Sequence, residues 1–504
     1  MKSFIFILII ISSSQFVYPQ VFREFNTGFK TVLINPAEVN SYYFGGNPAL
    51  LNFGQQDELL ILGSDVNMDE GKFKRFIDPA SNRFYQLTAS GKKAIDSSQR
   101  FQGSFGFQRN ERRDWAWIFT RDYQTGNPFL IGDSTVGASS INGINVNADY
   151  AINLFQNISA GIHIDYSVDE MLKEVSPRPT SSHRDIHSSL GLNYSFSQNF
   201  NLGLIASLTD KNEEISYRED EGAITQETII LKFKGYDFPN VFKKKTETRY
   251  SYSNIYSAGL TASYSEDQIT ACSYFAGGFE KSMIKDDAID PSAEGFWRNN
   301  FVDAGLQLTA SINQDIRAGL IYNLHQNDGW AKYPPYNVLY SENEMDMHYF
   351  TAGVQYAVSE KINLGLEGGV KLVSSDYHDY YSGISQNVKS SITYIRTGFG
   401  ADWSEDISSI ISYAFSHNSS PDKNLEAEAQ SKYFSSYRIY DLMYLAAAFN
   451  QHDFSASLKL VPWFGGSFYV NLNYSTAIPK DDNYFKNEVK NTFLSRVEYR
   501  VKVF

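Results

Sequence analysis

The feature that most constrains this chain is a repeated pairing of alternating segments. From about residue 57 onward, stretches of 9–13 residues alternate apolar with small or polar side chains, and successive stretches are joined by very short polar turns. Between Ile158 and Asp169, Ile158, Ala160, Ile162, Ile164, Tyr166 and Val168 share one parity, and Ser159, Gly161, His163, Asp165, Ser167 and Asp169 share the other. Successive strand side chains point to opposite faces, so each such segment has one apolar and one polar face. The pattern returns in 186–196, 202–208, 302–312, 316–325, 350–358 and 362–372.

A soluble sandwich and a membrane barrel both alternate. They differ in their connections, because membrane barrels have short turns at one end and long loops at the other. Short turns are expected near Asn110, Gln156, Gln198, Glu266, Gln314, Glu360, Glu405 and Gln451. Long polar loops are expected near 123–139, 171–184, 215–245, 282–296, 328–344, 376–388 and 418–434. The fold class that follows is all-β: a transmembrane antiparallel β-barrel of 14–18 strands, 18 preferred, with short periplasmic turns and long extracellular loops. Two stretches keep the count soft: 83–93, and 453–475, where Pro462 to Gly466 is either a bend in one strand or a turn between two. Trp115, Trp117, Tyr194, Tyr264, Tyr356, Trp403 and Tyr413 recur near strand ends and are expected to form interface girdles.

The N-terminus reads as an export signal. Met1-Lys2-Ser3 precedes the apolar run Phe4 to Ile11, which is too short to span a bilayer. The organisation expected is a signal peptide over 1–20, an N-terminal periplasmic or plug segment over 21–56 and a barrel over 57–504. The plug segment carries Asn35-Pro36-Ala37 and Asn47-Pro48-Ala49, and Asn-Pro favours a turn. In the last segment Phe493, Val497, Tyr499, Val501 and Val503 share a parity, while Phe504 falls on the other.

Composition removes several classes. A net charge of −13 argues against nucleic-acid binding. The single cysteine, Cys272, excludes an intramolecular disulfide and multi-cysteine zinc sites. The high aromatic content, 34 Tyr and 37 Phe, suits strands and interfaces.

Gly45-Gly46-Asn47-Pro48-Ala49-Leu50-Leu51 resembles the N-terminal Asn-Pro-Ala segment of FadL-like and related Bacteroidota outer-membrane barrels. The segments 75–79, 107–113 and 245–252 resemble a family of Bacteroidota outer-membrane β-barrel proteins of unknown function, over most of the mature chain. The resemblance implies location and fold and carries over no catalytic residue.

Asp165, Asp303, Arg317, Glu367, Lys371, Arg396 and Asp402 share the lumen parity and are the candidate lumen-facing residues. In a pore, such groups set selectivity; otherwise they pair with one another and hydrate the wall. His183 with His187, and Asp376-Tyr377-His378-Asp379, lack a diagnostic metal spacing. Acidic Asp286-Asp287 and Glu342-Asn343-Glu344 lack the order of a calcium loop and read as solvated charge. No motif singles out a nucleophile, so neither catalysis nor a cofactor is expected. The aromatic loops around Trp330, Tyr333 and Tyr336 and around Tyr377, Tyr380 and Tyr381 either bind sugars or partners or pack on one another. The function expected is passive, porin-like or FadL-like passage of small solutes. The alternatives are a docking barrel for a surface secretion or uptake complex and, last, an outer-membrane hydrolase. The expected partners are outer-membrane lipid, the outer-membrane assembly machinery and a possible surface complex, with no nucleic acid.

Overall fold

The computed structural model describes residues 45–53, 59–217, 228–235, 239–244, 246–266, 268–286, 292–419, 422–427, 432–462, 465–480 and 484–502. The expected signal peptide and most of the expected plug segment lie outside these residues, as does Phe504.

Eighteen strands form one closed antiparallel barrel. They are β1 (Leu59–Gly71), β2 (Ser81–Ala94), β3 (Gln99–Trp115), β5 (Gly137–Phe155), β6 (Ile158–Lys173), β7 (Thr180–Ser195), β8 (Phe200–Tyr217), β11 (Glu247–Glu266), β12 (Ile269–Asp286), β13 (Ser292–Ser311), β14 (Ile316–Tyr333), β15 (Val338–Ser359), β16 (Ile362–Asp379), β17 (Ile384–Ser404), β18 (Ile407–Ser419), β20 (Phe449–Leu460), β21 (Ser467–Pro479) and β22 (Lys490–Lys502). Each pairs with its neighbour in sequence, and β22 closes on β1, with Leu62 opposite Tyr499. Closure removes the exposed edges of the sheet. Among the described residues no helix is long and apolar enough to cross a membrane.

The alternation maps onto the two faces as expected. Leu190 is 63% exposed on the outer face, while its neighbour Ser189 is 3% exposed toward the lumen. Leu204, Leu366, Ile395 and Phe454 are likewise more than half exposed on the outside. At roughly 25 cal/mol per Å² of apolar surface left in water, a belt of such side chains is costly to expose to solvent. On β13 the apolar outer run from Val302 to Ala310 spans nine residues, close to the ~9–11 that a tilted membrane strand needs.

One end of the barrel has only short connections: 95–98, 156–157, 196–199, 267–268, 312–315, 360–361, 405–406 and 461–466. Six of the eight expected turns fall there. Asn110 instead lies inside β3, and Gln451 inside β20. Both sit where polar residues break the alternation without breaking the strand, since Asn110 is paired with Phe84 and Gln451 with Ala477. The stretch 453–475 is two strands, and 83–93 lies in β2.

The other end differs from expectation. The spans 171–184, 282–296, 328–344 and 376–388 are mostly strand, and their connections shrink to 174–179, 287–291, 334–337 and 380–383. β15 runs for 22 residues and β17 for 21, twice the length a bilayer requires. Past the apolar belt the outward residues become polar, so the two-faced pattern fades while the ladder continues. Three connections at this end are long: 116–136, 218–246 and 420–448. They carry β4 (Ile131–Gly132), β9 (Thr228–Lys232), β10 (Asn240–Lys244), β19 (Lys423–Ala427) and α1 (Lys432–Leu445).

Candidate functional site: the lined lumen

At the short-turn end, Gly45 to Phe53 lies against the inner wall. Asn47 is fully buried there. Its Nδ2 donates into a triangle of acceptors, Leu192 O, Leu204 O and Thr261 Oγ1, each at 3.2 Å. Its Oδ1 accepts from Ala49 N at 3.0 Å, an Asx turn that starts the 3-10 turn Pro48–Phe53. Ser159 Oγ donates to Ala49 O, Asn52 Nδ2 to Ser98 O and Asn153 Oδ1, and Arg100 Nη1 to Leu51 O. The wall is flattened to receive this wedge. A Cβ at Gly191 would stand 2.0 Å from Asn47 Oδ1, and one at Gly161 2.4 Å from Pro48 C.

At the opposite end, the three long connections turn inward. β4, β9 and β10 form their own sheet, and Phe119, Ile131 and Ile230 pack on the lumen-facing Ile141, Met171 and Ile215. Trp115 belongs to this core, 1% exposed, and Trp117 packs tilted against Phe76, ring centroids 5.4 Å apart. Neither tryptophan is in a girdle, because the chain turns into the lumen at that point. Tyr194, Tyr356 and Trp403 do stand exposed on the outer face beside the short turns. Tyr444 and Ala447, at and just beyond the end of α1, pack with Phe73 and Phe485 on Ile392, Tyr394, Phe449 and Ala477 of the wall.

Buried ion pairs hold these segments. Arg249 donates to both oxygens of Asp286, at 2.7 and 2.8 Å, and also to Phe129 O and Leu130 O. Lys232 of β9 reaches Asp286 at 2.6 Å and Glu247 at 3.3 Å. Lys173 meets Asp133 at 2.7 Å. Arg121 donates through its side chain to Asp169, and its backbone N–H to Glu213. Asp122 of the same connection faces Lys211 at 3.4 Å. Burial pushes its pKa up, but Lys211, Arg121 and His183 outweigh that and hold the carboxyl below its ordinary value. Asp286 is 2% exposed, so the expectation of solvated loop charge there is wrong. Strand pairing carries it inside the barrel rather than into a loop. Between the segments lies a cavity of about 40 Å³, lined by Arg75, Tyr123, Asn127, Leu130 and Phe233, enough for a water molecule.

The seven candidate wall residues divide into three groups. Glu367, Lys371 and Arg396 are 1–4% exposed on neighbouring strands, with Arg396 Nη1 3.4 Å from Glu367 Oε1 and Tyr394 OH donating to the same oxygen. Asp303, half-buried, holds His325 Nδ1 at 2.6 Å, and Asp165 is half-buried opposite His187. Arg317 and Asp402 stand exposed near the short turns. Of these seven, Glu367 and Arg396 are brought into contact, whereas Lys371 lies four residues along β16, opposite Ile392.

Asp122, His183 and Asp185 place one ligand atom each within 4.8 Å of one another. Lys211 already lies 3.4 Å from Asp122 and 3.7 Å from Asp185, and Arg121 lies 3.3 Å from Asp122. The arrangement is an ion-pair network whose cations occupy the place of a metal. Sequence reasoning missed Arg121, Lys211, Arg249 and Lys232. The available signal was their position at or inside loop boundaries, where charge normally means solvent.

Apolar outside, charged inside and entered by its own chain at both ends, the molecule is a large barrel of the outer-membrane type. The chain belongs to the family described as "Family of unknown function (DUF6850)", whose model matches residues 48–497. No curated protein matches it. Among solved structures it is similar to the siderophore receptor PiuA of Acinetobacter baumannii, with 8% identity, a TM-score of 0.39, and coverage of 88% of this chain and 82% of that one. It is also similar to OccAB3 of Acinetobacter baumannii, at 12% identity, TM-score 0.39, and coverage of 89% and 99%. A third is the CymD monoaromatic hydrocarbon channel, at 9% identity, TM-score 0.32, and coverage of 94% and 98%. None of these likenesses transfers an activity to this chain.

Proposed function

We propose that the protein is exported by a signal peptide over residues 1–20, inserted into the bacterial outer membrane by its assembly machinery, and surrounded there by lipid. In that setting it gives small solutes a passive, porin-like or FadL-like route, and catalysis has no part in this reading. The observation that carries it is the lumen wall. Polar and charged groups line it on all sides: His163 with Asp149, Asp303 with His325, Glu367 with Arg396, and Arg496 with Glu498. The segments entering at both ends are held by hydrogen bonds and ion pairs, which can open without breaking the wall. Charged walls of this kind tune ion selectivity. Planar-bilayer recording of the purified full-length protein tests the reading. Steady unitary currents are expected. A silent protein that co-purifies with a surface complex contradicts it and favours docking, the reading for which the long strand overhang and exposed Tyr336 and Tyr381 speak.

A further inference from the structure

The outer face above the apolar belt is uneven. On β12, β13 and β14 it carries three cations beside three aromatic rings. Lys281 and Arg298 are direct cross-strand partners. Like charges placed opposite one another in a sheet are destabilising. Both nevertheless lean on the same ring, Phe279, at 5.0 and 5.1 Å from its centroid. One strand further on, Lys332 stands 5.0 Å over Trp330, whose ring contacts Phe296 at 5.5 Å. Trp330 is the direct partner of Arg298, and Lys332 of Phe296, so the six side chains form one patch. Among the described residues no carboxylate forms an ion pair with Lys281, Arg298 or Lys332. Outward acids border the patch on both sides, but two of them are already engaged: Glu342, opposite Trp330, accepts from Tyr380 OH, and Asp210, in the row of Lys281 two strands away, pairs with Arg184, while Asp328 stands diagonal to Arg298.

The height of the patch selects its occupant. Val302 ends the apolar outer run on β13, and Asn300, paired with Phe279, is the next outward residue. Arg298 follows, four residues past Val302. At ~3.3 Å per residue and a strand tilt of ~40°, that is about 10 Å beyond the belt. The rings of Phe279 and Tyr256, 5.2 Å apart, occupy the interface row between. Cations just outside an aromatic girdle and facing away from the barrel stand at the level of lipid headgroups.

We infer that Lys281, Arg298 and Lys332 bind the phosphate of a phosphorylated glycolipid in the outer leaflet, with Phe279, Phe296 and Trp330 against its sugar and upper acyl carbons. An anion between Lys281 and Arg298 removes their repulsion, and the rings hold both cations ready for it. The inference rests on the outer-membrane reading above.

The test uses the full-length protein in detergent and its triple variant Lys281→Gln/Arg298→Gln/Lys332→Gln, with phosphorylated lipid A as the probe. Dephosphorylated lipid A and inorganic pyrophosphate are the comparisons, and retention is read by native mass spectrometry. The triple variant is expected to bind phosphorylated lipid A roughly 100-fold more weakly, about fivefold for each cation lost near an anionic surface. The wild type is expected to prefer the phosphorylated form, and millimolar pyrophosphate is expected to leave the bound lipid in place. Equal binding by variant and wild type overturns the inference. So does indifference to the phosphate, which would mark an ordinary apolar annulus, and so does displacement by pyrophosphate, which would mark an ion site. These side chains lie outside the barrel core, so unchanged heat-modifiable migration shows that the variant is folded. A wild-type protein that stays soluble without detergent would instead defeat the membrane reading itself.

Discussion

Asn47 shows how one side chain can seat a segment across a long stretch of sequence. Its amide meets wall groups 145 to 214 positions away. Removing it leaves buried acceptors unpaired, at about 1–3 kcal/mol. Asn47→Ala is therefore expected to raise the open population of the wedge by roughly 10- to 100-fold. Thiol labelling of Ala49→Cys in a Cys272→Ser background reads this out, and an unchanged rate would refute the seating role. Gly191→Ala should give the same phenotype from the wall side, since its Cβ falls on Asn47 Oδ1. Both partners were visible in the sequence, as an Asn-Pro-Ala segment and as glycines on the lumen parity. Their meeting was not, because a wall glycine carries no mark of what fills the space above it.

Arg249 and Asp122 make the corresponding argument for the inward-folded connections. Arg249→Met strips Asp286 of its bidentate partner, leaving it Lys232 alone, and removes a side-chain donor from Phe129 O and Leu130 O, of which Leu130 O keeps Phe233 N; breaking one side of a buried pair costs up to ~3–5 kcal/mol. Hydrogen exchange over 116–135 should quicken while the barrel strands stay protected; equal exchange would show that the connection is held elsewhere. Asp122 has a depressed pKa in the folded state. Its contribution is therefore present above the ordinary carboxylate value and is lost only as pH falls through the lower folded value. Amide protection of 118–124 is expected to hold from pH 7 to about 4 and to decline below that. Loss between pH 6 and 5 would contradict the assignment.

At the scale of elements, strand pairing was the most legible level. Most hairpins announced themselves through alternation: 18 strands were preferred and found, and six of the eight expected short turns fall where they were placed. The errors cluster beyond the apolar belt. There the outer face turns polar, as in Asp328, Glu342 and Glu344, so continuing strands read as loops. The tryptophans 115 and 117 were misread for a related reason: an aromatic at a strand end marks an interface only if the chain continues outside. The inward connections give a prediction at this scale. Replacing residues 117–132 with a short Gly-Ser turn removes β4 and the Arg121 anchors but leaves β3 and β5 to pair. Unitary conductance should rise severalfold, whereas an unaltered value would mean that the connection does not obstruct the route.

For the whole molecule, the decisive feature is the apolar belt on the outer face. The lumen residues divide charge among themselves in pairs, and among the wall candidates Glu367 and Arg396 come together. Parity can tell which side of the sheet a residue faces but not its height or its neighbour, and both are set by register across strands far apart in sequence. The apolar belt depends on parity alone, which is why it was legible. Heat-modifiable migration of the full-length protein, isolated from the outer-membrane fraction, tests the belt most directly. A closed barrel solvated by detergent or lipid resists unfolding until boiled, so the unheated protein should run as a faster, compact band and shift to the slower position of its unfolded chain on boiling. A protein found free in the periplasm or medium, with one mobility before and after heating, would contradict the account.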